Sequence, residues 1–455
     1  MTAYIEKLLE RFIINKEQKK YRQVPGNQYA EADKYEIEKL SDLQRAVRRL
    51  SYMLENEQPV VYPDEKIALI RTVSTVPEIF TKLEFNEIQK KHYIHEQGKV
   101  CNINPSYNIL ISTGFDKKRE EIKSSMQDTD ATAEKKEYLE MLLEILDMIE
   151  TFAERYKLAA ESVGNYDVAN VFSHIPAKGA ETLQEALQFL RLLHYCLWCS
   201  FNYHNTFGRF DQYMYPYYAK DTQCGNLSQD QALELIEEFF ISCNKDSDMY
   251  PGMQQGDNGQ SIVLGGLNQD GSESYNELSD ICLQASLELK LIDPKINLRV
   301  NKNTPLEIYE KGTYLTKQGL GFPQYANDDI IIPALKRWGY DDKDAYNYVV
   351  AACWEFIIPG RGMDIPNING LSFAHVVISN MEQLTKCETF NDFLEVIHTG
   401  IFLQSEELIS SVKDVYMEPA PLMSLMMEDC IKQGRDVSKG SRYNNYGFHG
   451  TGLST

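Results

Sequence analysis

The sequence lacks any run of the ~18 apolar residues that a membrane-spanning helix needs. Residues 1–7 also lack the apolar core of a signal peptide, and an amphipathic helical pattern follows them. No internal repeat and no low-complexity segment is present. These absences predict a globular, cytoplasmic protein.

Positive charge is also scarce, because 46 Lys and Arg residues stand against 67 Asp and Glu residues, a formal net charge of −21. Nucleic acids and anionic membranes are bound through basic surfaces, so the composition disfavours both as partners. The balance does not restrict a small-molecule substrate, since a local basic pocket can lie in an acidic protein. The 455 residues suffice for a large core, and α/β barrels of this size fold as one unit.

The cysteines show no disulfide pattern. There are nine of them, an odd number, and they are widely spaced, which predicts reduced thiols. Cys196 and Cys199 form a CxxC pair, but the pair lies in an apolar helical run and no second pair accompanies it. Core packing is therefore favoured over a metal or redox site, and we predict no metal site.

Regular alternation of strands and helices begins after residue 260. Strand patterns cover residues 261–264, 295–300, 322–326 and 348–353, with helical patterns at 276–290, 304–318 and 328–338 between them. Such alternation implies parallel strands joined by crossover helices, as in a barrel or a large open sheet. Functional residues are then expected at strand ends and in the loops that follow.

The last of these strands leads into a thiol and a carboxylate. Residues i and i+2 of an extended chain face the same side, so Cys353 and Glu355 should point together while Trp354 points into packing. A Pro359-Gly360 turn follows. The arrangement suggests a catalytic site, and the alternative is a core cysteine beside a salt-bridged glutamate.

The pattern of the C-terminal part predicts helices over residues 371–384 and 390–409, and a glycine-rich end follows them. Four glycines fall within residues 440–452, with aromatic residues between them. This composition predicts a loop that enters a core.

Many short stretches together resemble one family, the glycyl radical enzymes of the pyruvate formate-lyase-like group. The resemblance covers roughly residues 170–455, and residues 98–122 match the family more weakly. The matching pieces include Gly208-Arg209-Phe210-Asp211, Gly265-Gly266, Asn276-Glu277-Leu278-Ser279, Thr304-Pro305, Asn327-Asp328, Ile332-Pro333-Ala334-Leu335, Cys353-x-Glu355, Pro421-Leu422, Gly434-Arg435-Asp436 and Tyr443-Asn444. Their shared order along the chain makes a chance resemblance improbable.

This resemblance implies an α/β fold, a glycyl-radical-enzyme-type α/β barrel with surrounding helices and a catalytic cysteine on a loop inside the barrel. Residues 1–165 would form a mainly helical region packed on the barrel, and residues 166–455 the barrel core. The family's glycine-radical segment, an Arg-Val-x-Gly-Tyr-like loop, has no match, because the only Arg-Val is Arg299-Val300. We therefore expect that domain on a separate chain; an inactive remnant or an incomplete chain are the alternatives.

The resemblance also implies a mechanism, in which a glycyl radical supplied in trans converts Cys353 to a thiyl radical. Formate-lyase members carry two adjacent cysteines, whereas here Ala352 precedes Cys353. A Cys-x-Glu pair is similar to the eliminating members, in which Glu355 would act as base in cleavage of a C–O, C–N or C–S bond. The alternatives are a radical decarboxylase or C–C lyase, an inactive relative, and a barrel lyase that uses ordinary acid–base chemistry.

Three further residues are candidate substrate contacts. His204 lies near the place where dehydratase-like members carry a substrate-contacting histidine, although core packing is an alternative. Asp364 resembles the family's substrate-binding aspartate if a short deletion is allowed. Arg361 could hold an anionic substrate, or it could form a structural salt bridge.

The implied partners are a small glycyl-radical-domain protein, a radical S-adenosylmethionine activase with a [4Fe-4S] cluster, and a small polar metabolite as substrate. No cofactor would bind this chain directly. Family members are commonly homodimers, so a homodimer or a dimer of heterodimers is expected.

Overall fold

The computed structural model describes residues 1–95, 98–129, 131–249, 259–351 and 353–452. Helices dominate the first half of the chain. Helices α1 to α6 are Ala3–Leu9, Ala30–Glu38, Asp42–Asn56, Lys82–Lys91, Tyr107–Met126 and Ala133–Ser162. Helices α7 to α11 are Tyr166–His174, Leu183–Cys199, Phe210–Tyr213, Tyr215–Gln223 and Gln229–Asn244. The short β1 (Tyr93–Ile94) pairs with β8 (Val415–Tyr416).

Strands and helices alternate from residue 261 onward. The strands are β2 Ser261–Gly265, β3 Lys295–Val300, β4 Gln324–Asn327, β5 Val349–Ala351, β6 Glu355–Ile357, β7 Gly362–Ser372 and β9 Tyr443–Thr451. The helices are α12 Glu277–Leu289, α13 Leu306–Lys317, α14 Asp328–Arg337, α15 Asp342–Tyr346, α16 Phe373–Ser379, α17 Met381–Leu384, α18 Phe390–Ser411, α19 Pro421–Ser424 and α20 Cys430–Gln433.

Local sequence accounts for several helix starts. Helices α8, α11 and α12 each begin with a capping box, in which the cap side chain and the third helical residue satisfy each other's backbone amides. Helix α8 is apolar over most of its surface, and every residue from Ala186 to Cys199 is buried. The predicted core packing of Cys196 and Cys199 is confirmed, because both side chains of this helix are fully buried.

A continuous row of hydrogen-bonded strand segments forms the centre of the fold. Its order is β9, β7, residues 102–104, residues 205–208, β2, β3 and β4. The run from 102–104 through β4 is parallel, as predicted for β2, β3 and β4. Residues 102–104 come from within residues 1–165, so the mainly helical region contributes a strand segment to the row. The division at residue 165 stays a prediction.

The expected strand at 348–353 differs from the prediction. It is shorter, and β5 does not join the parallel row but pairs antiparallel with β6, with Val350 opposite Phe356. The physical reason is chain length, since the three residues between β5 and β6 allow a tight reversal but not a crossover. Ala352, which the predicted strand included, lies outside the described residues.

The glycine-rich end also differs from the prediction. Residues 443–451 form strand β9, not a loop, and they pair in parallel with β7. Strand β7 was not predicted, because its Pro, Asn and Gly residues are typical of turns. Within the described residues, no helix combines the length and apolar character needed to cross a bilayer.

Candidate active site

Cys353 lies at the tip of the β5–β6 hairpin, and Glu355 begins the returning strand. The Glu355 carboxylate turns back over the tip. Its Oε2 accepts hydrogen bonds from the backbone amides of Cys353 at 2.8 Å and Trp354 at 2.9 Å. Bonds from amides to a carboxylate are stronger than neutral ones, so Glu355 holds the turn that presents the thiol.

The tip of this hairpin is open to solvent. Six of the nine cysteines are buried, but Cys353 is exposed, so the alternative of a core cysteine is wrong. The prediction that Trp354 packs inside is also wrong, because 54% of its surface is exposed. The residues occupy a turn in which side chains do not alternate as they do along an extended strand.

A buried ion pair fixes the strand that enters the hairpin. Arg299 of β3 forms two hydrogen bonds of 2.9 Å with Asp328, at the start of α14. The same guanidinium donates to the carbonyl of Tyr348 at 3.1 Å, and the Tyr348 hydroxyl donates to Asp328 at 2.6 Å. All three side chains are buried, so this network ties the residue before β5 to the strand row.

A glycine turn fixes the chain that leaves the hairpin. Gly360 has a φ of 68°, and its amide donates to the carbonyl of Asn104 at 2.7 Å. A β-carbon at Gly360 would lie 2.0 Å from the hydroxyl oxygen of Ser106. Only glycine combines this backbone conformation with so close an approach.

Arg361 follows this turn and is engaged by protein carboxylates. Its Nη1 lies 2.8 Å from both oxygens of Asp344, and it also pairs with Glu428. These contacts favour the structural alternative over a contact with an anionic substrate. Its role in substrate binding stays a prediction that the contacts do not support.

Asp364 lies on β7 close enough to Glu355 for their charges to interact. Burial, with a further contribution from the charge of Glu355, raises the pKa of Asp364 to about 7. Only 8% of the residue is exposed, and within the described part of the chain Oδ1 has no hydrogen-bond partner. Near neutral pH, Asp364 can therefore hold a proton beside the carboxylate of Glu355.

His204 is half-buried and lies just before the row segment 205–208. Its ring makes an edge contact with Tyr203, with 5.1 Å between centroids. Its backbone is in the left-handed region, with a φ of 58°. Gly259 packs so closely on it that an added β-carbon would lie 2.3 Å from the His204 Cα.

A chain of contacts connects this segment to the hairpin. The Ser261 hydroxyl of β2 lies 2.9 Å from that of Thr206 and 3.4 Å from the carbonyl oxygen of Val350 in β5. On the other side of the hairpin, β6 contacts β7, which carries Asp364. The hairpin thus lies between the part of the row that follows His204 and the part that carries Asp364.

The arrangement combines an accessible thiol, a carboxylate beside it and a carboxylic acid that can keep its proton near pH 7. Sequence reasoning identified these three residues but missed the supporting residues Arg299 and Asp328. An available signal was the arginine within a predicted strand of the parallel row, since a buried arginine requires a partner. Its partner could not be read from sequence, because it lies 29 residues further on.

The chain matches a family model and is similar to curated dehydratases. Residues 82–455 match a family model described as pyruvate formate lyase-like. Trans-4-hydroxy-L-proline dehydratase of Clostridioides difficile is 28% identical over 325 residues, which cover 63% of this chain and 40% of that protein. (2S)-3-sulfopropanediol dehydratase of Klebsiella oxytoca is 25% identical over 304 residues, covering 60% of this chain and 37% of that protein. The chain thus spans about two fifths of the length of these curated relatives.

Solved structures show the same fold. A structure described for 1,2-propanediol dehydration in Roseburia inulinivorans has a TM-score of 0.80 at 21% identity, covering 99% of this chain and 65% of that chain. Hydroxyproline dehydratase from Clostridioides difficile has a TM-score of 0.77 at 19% identity, covering 99% of this chain and 70% of that chain. These similarities confirm the predicted α/β barrel fold class.

Proposed function

Because the chain belongs to the pyruvate formate lyase-like family, we propose that it is the large catalytic subunit of a split glycyl radical enzyme. The proposed reaction is elimination from a small polar metabolite, started by a thiyl radical on Cys353. One observation carries the proposal: the carboxylate of Glu355 bonds to the backbone of the turn that presents the Cys353 thiol, with Asp364 beside it.

The radical itself would come from a glycine on a partner chain, generated by a radical S-adenosylmethionine activase. When present, that group takes a hydrogen atom from the Cys353 thiol. Cys353 is exposed in the described chain, so the Cys353 thiol is open to contact with the partner chain.

The proposed reaction is a cycle of hydrogen-atom and proton transfers that restores every protein group. The Cys353 sulfur takes a hydrogen atom from a substrate carbon that bears a hydroxyl or a similar protic group, so an S–H bond forms and a C–H bond breaks. Glu355 removes the proton of that group, and the electron density left on its heteroatom expels the leaving group from the neighbouring carbon with its bonding pair. Asp364 gives its proton to the leaving group. The product radical then recovers a hydrogen atom from Cys353, and the proton on Glu355 returns to Asp364.

The proposed substrate class rests on the relatives. Their names specify hydroxyproline, sulfopropanediol and isethionate as substrates, and a solved neighbour is a glycerol-bound glycerol dehydratase. These compounds are small and polar and carry a hydroxyl group. We assign this chain to the same general class without choosing among them.

Decarboxylation is a second candidate because of one specific similarity. The 4-hydroxyphenylacetate decarboxylase glycyl radical subunit of Clostridioides difficile is 26% identical over 328 residues, which cover 61% of this chain. Elimination is favoured because the other curated relatives named above are dehydratases or a sulfite-lyase.

The test is an anaerobic substrate screen of protein purified from its native host together with its activase. The panel contains hydroxyproline, 1,2-propanediol, glycerol, isethionate, sulfopropanediol and 4-hydroxyphenylacetate. Cys224→Ser is the matched control, since Cys224 is the other exposed cysteine. We expect wild type and Cys224→Ser to release an elimination product, and Cys353→Ser and Glu355→Gln to release none. Carbon dioxide release from 4-hydroxyphenylacetate would select the second candidate. Turnover in air without S-adenosylmethionine would refute radical chemistry.

A further inference from the structure

The three helices directly after β7, namely α16, α17 and α18, bury very little of their apolar surface. Helix α18 has 22 residues, of which only Gly400 is buried. Helix α8 is shorter, with 17 residues, and buries 15 of them. The contrast is not one of composition, because ten residues of α18 are Phe, Leu, Ile or Val.

The exposed residues form a defined surface, which we call the α16–α18 surface. Its large apolar members and their exposed fractions are Ile378 68%, Met381 50%, Phe390 72%, Phe402 63%, Leu403 61% and Ile409 58%. These six large apolar side chains, each at least half exposed, lie on three consecutive helices. Clustered exposed apolar side chains mark contact sites for other polypeptides.

Strand β9 supplies a second, independent feature. It is nine residues long and pairs with β7 along one edge, and in the described part of the chain no strand pairs with its other edge. An open edge of this length offers unpaired amides and carbonyls to an additional strand. Helix α16 contacts β9 and α18 contacts β7, so the open edge and the α16–α18 surface belong to one end of the strand row.

The solved neighbours contain polypeptide that has no counterpart in this chain. They match 99% of this chain, yet this chain covers only 65% to 70% of theirs. About a third of the neighbours' fold therefore has no counterpart among these 455 residues, while this end of the row is left open.

We propose that the α16–α18 surface and the open edge of β9 bind a second polypeptide that supplies the missing third of the fold. The partner adds a strand to β9 and covers α18 with an apolar face. Residues 373–414 contain seven acidic and two basic residues, so the partner's rim is neutral or basic. The inference rests on the proposed split enzyme and specifies where its second chain binds.

The test uses tagged protein expressed anaerobically in its native host. Intact mass identifies any chain that co-purifies, and that chain is then expressed alone and titrated against the purified protein. Phe402→Glu introduces a charge on the proposed surface. Leu306→Glu is the matched control, because Leu306 on α13 is exposed to a similar degree, 70% against 63% for Phe402, but lies outside the surface.

We expect wild type and Leu306→Glu to bind the second chain alike, and Phe402→Glu to weaken binding at least tenfold. Backbone amides of β9 should exchange with deuterium more slowly in the complex than in the protein alone. The proposal is overturned if the protein purifies alone, if it pairs only with itself, if its native chain proves longer than 455 residues, or if Phe402→Glu binds as wild type does.

The outcomes separate this inference from the proposed function. A partner that binds at α18 but shows no glycyl radical signal by spin resonance would refute the split radical enzyme and leave the docking surface intact. A radical-bearing partner that Phe402→Glu still binds normally would refute the surface and leave the function intact.

Discussion

Replacement of Asp364 by asparagine should stabilise the chain increasingly as pH rises. Burial and the charge of Glu355 raise the pKa of Asp364 from 3.8 to about 7 in the folded chain. Between these values the folded state holds a proton that the unfolded state has lost, so this group's contribution to stability falls as pH increases through that window. Asparagine removes the titration and with it the cost of a buried charge.

The magnitude follows from linkage, at 1.36 kcal/mol per pKa unit. The raised pKa of Asp364 lowers the free energy of unfolding by at most about 2 kcal/mol at pH 5.5 and by at most about 4 kcal/mol at pH 8. The advantage of Asp364→Asn should therefore grow by up to ~2 kcal/mol between these conditions. Urea unfolding at both pH values measures it, and pH 5.5 keeps the protein above its isoelectric point of about 4.9.

Two variants make this result interpretable. Asp33→Asn, which alters an exposed aspartate on α2, is the control variant measured at both pH values. Glu355→Gln removes the neighbouring charge, which should lower the pKa of Asp364 and move the loss of stability to lower pH. An Asp364→Asn advantage that stays constant, or shrinks, from pH 5.5 to pH 8 would refute the predicted proton on Asp364.

Three further predictions concern the support of the hairpin. Asp328→Asn leaves the buried guanidinium of Arg299 without its counter-charge and should cost ~3–5 kcal/mol of unfolding free energy, measured by urea denaturation; a loss below 1 kcal/mol would contradict the buried pair. Tyr348→Phe removes one hydrogen bond to a carboxylate and should cost ~1.5–3 kcal/mol in the same assay, with an unchanged denaturation slope. Trp354→Ala should change stability by less than ~0.5 kcal/mol because the side chain is exposed, and a larger loss would show that Trp354 packs in solution.

The regular part of the fold could be predicted from sequence. Strand β2 is a largely apolar run and β3 alternates polar and apolar residues, with helix α12 between them. This pattern predicts both strands and their parallel pairing. The burial of helix α8 could likewise be predicted, because the helix is apolar nearly all round. In each case the information is local and repeated over several residues.

The remaining members of the strand row could not be predicted. Residues 102–104 and 205–208 are too short to show a period, and they become strand segments only through their neighbours. Strands β7 and β9 contain glycine, asparagine and proline, which predict turns when read alone. Their extended form results from pairing with each other across about 80 residues of chain.

The candidate site, like the fold, could be predicted only in part from the sequence. Cys353 and Glu355 could be paired from sequence because they are two residues apart. The exposure of Cys353, the raised pKa of Asp364 and the ion pair that occupies Arg361 depend on distant parts of the chain. The side-chain directions at the hairpin tip could not be read either, since the turn breaks the alternation expected for a strand.

The most direct test of the central claim is turnover of a deuterated substrate by anaerobically activated wild type and Cys353→Ser. The substrate is the compound that the screen identifies, with deuterium on the carbon next to the one that loses the leaving group. We predict a primary kinetic isotope effect in wild type and no turnover by Cys353→Ser, although the partner's glycyl radical still forms. Turnover by Cys353→Ser, or wild-type turnover without an isotope effect and without a radical signal, would contradict hydrogen-atom abstraction by Cys353.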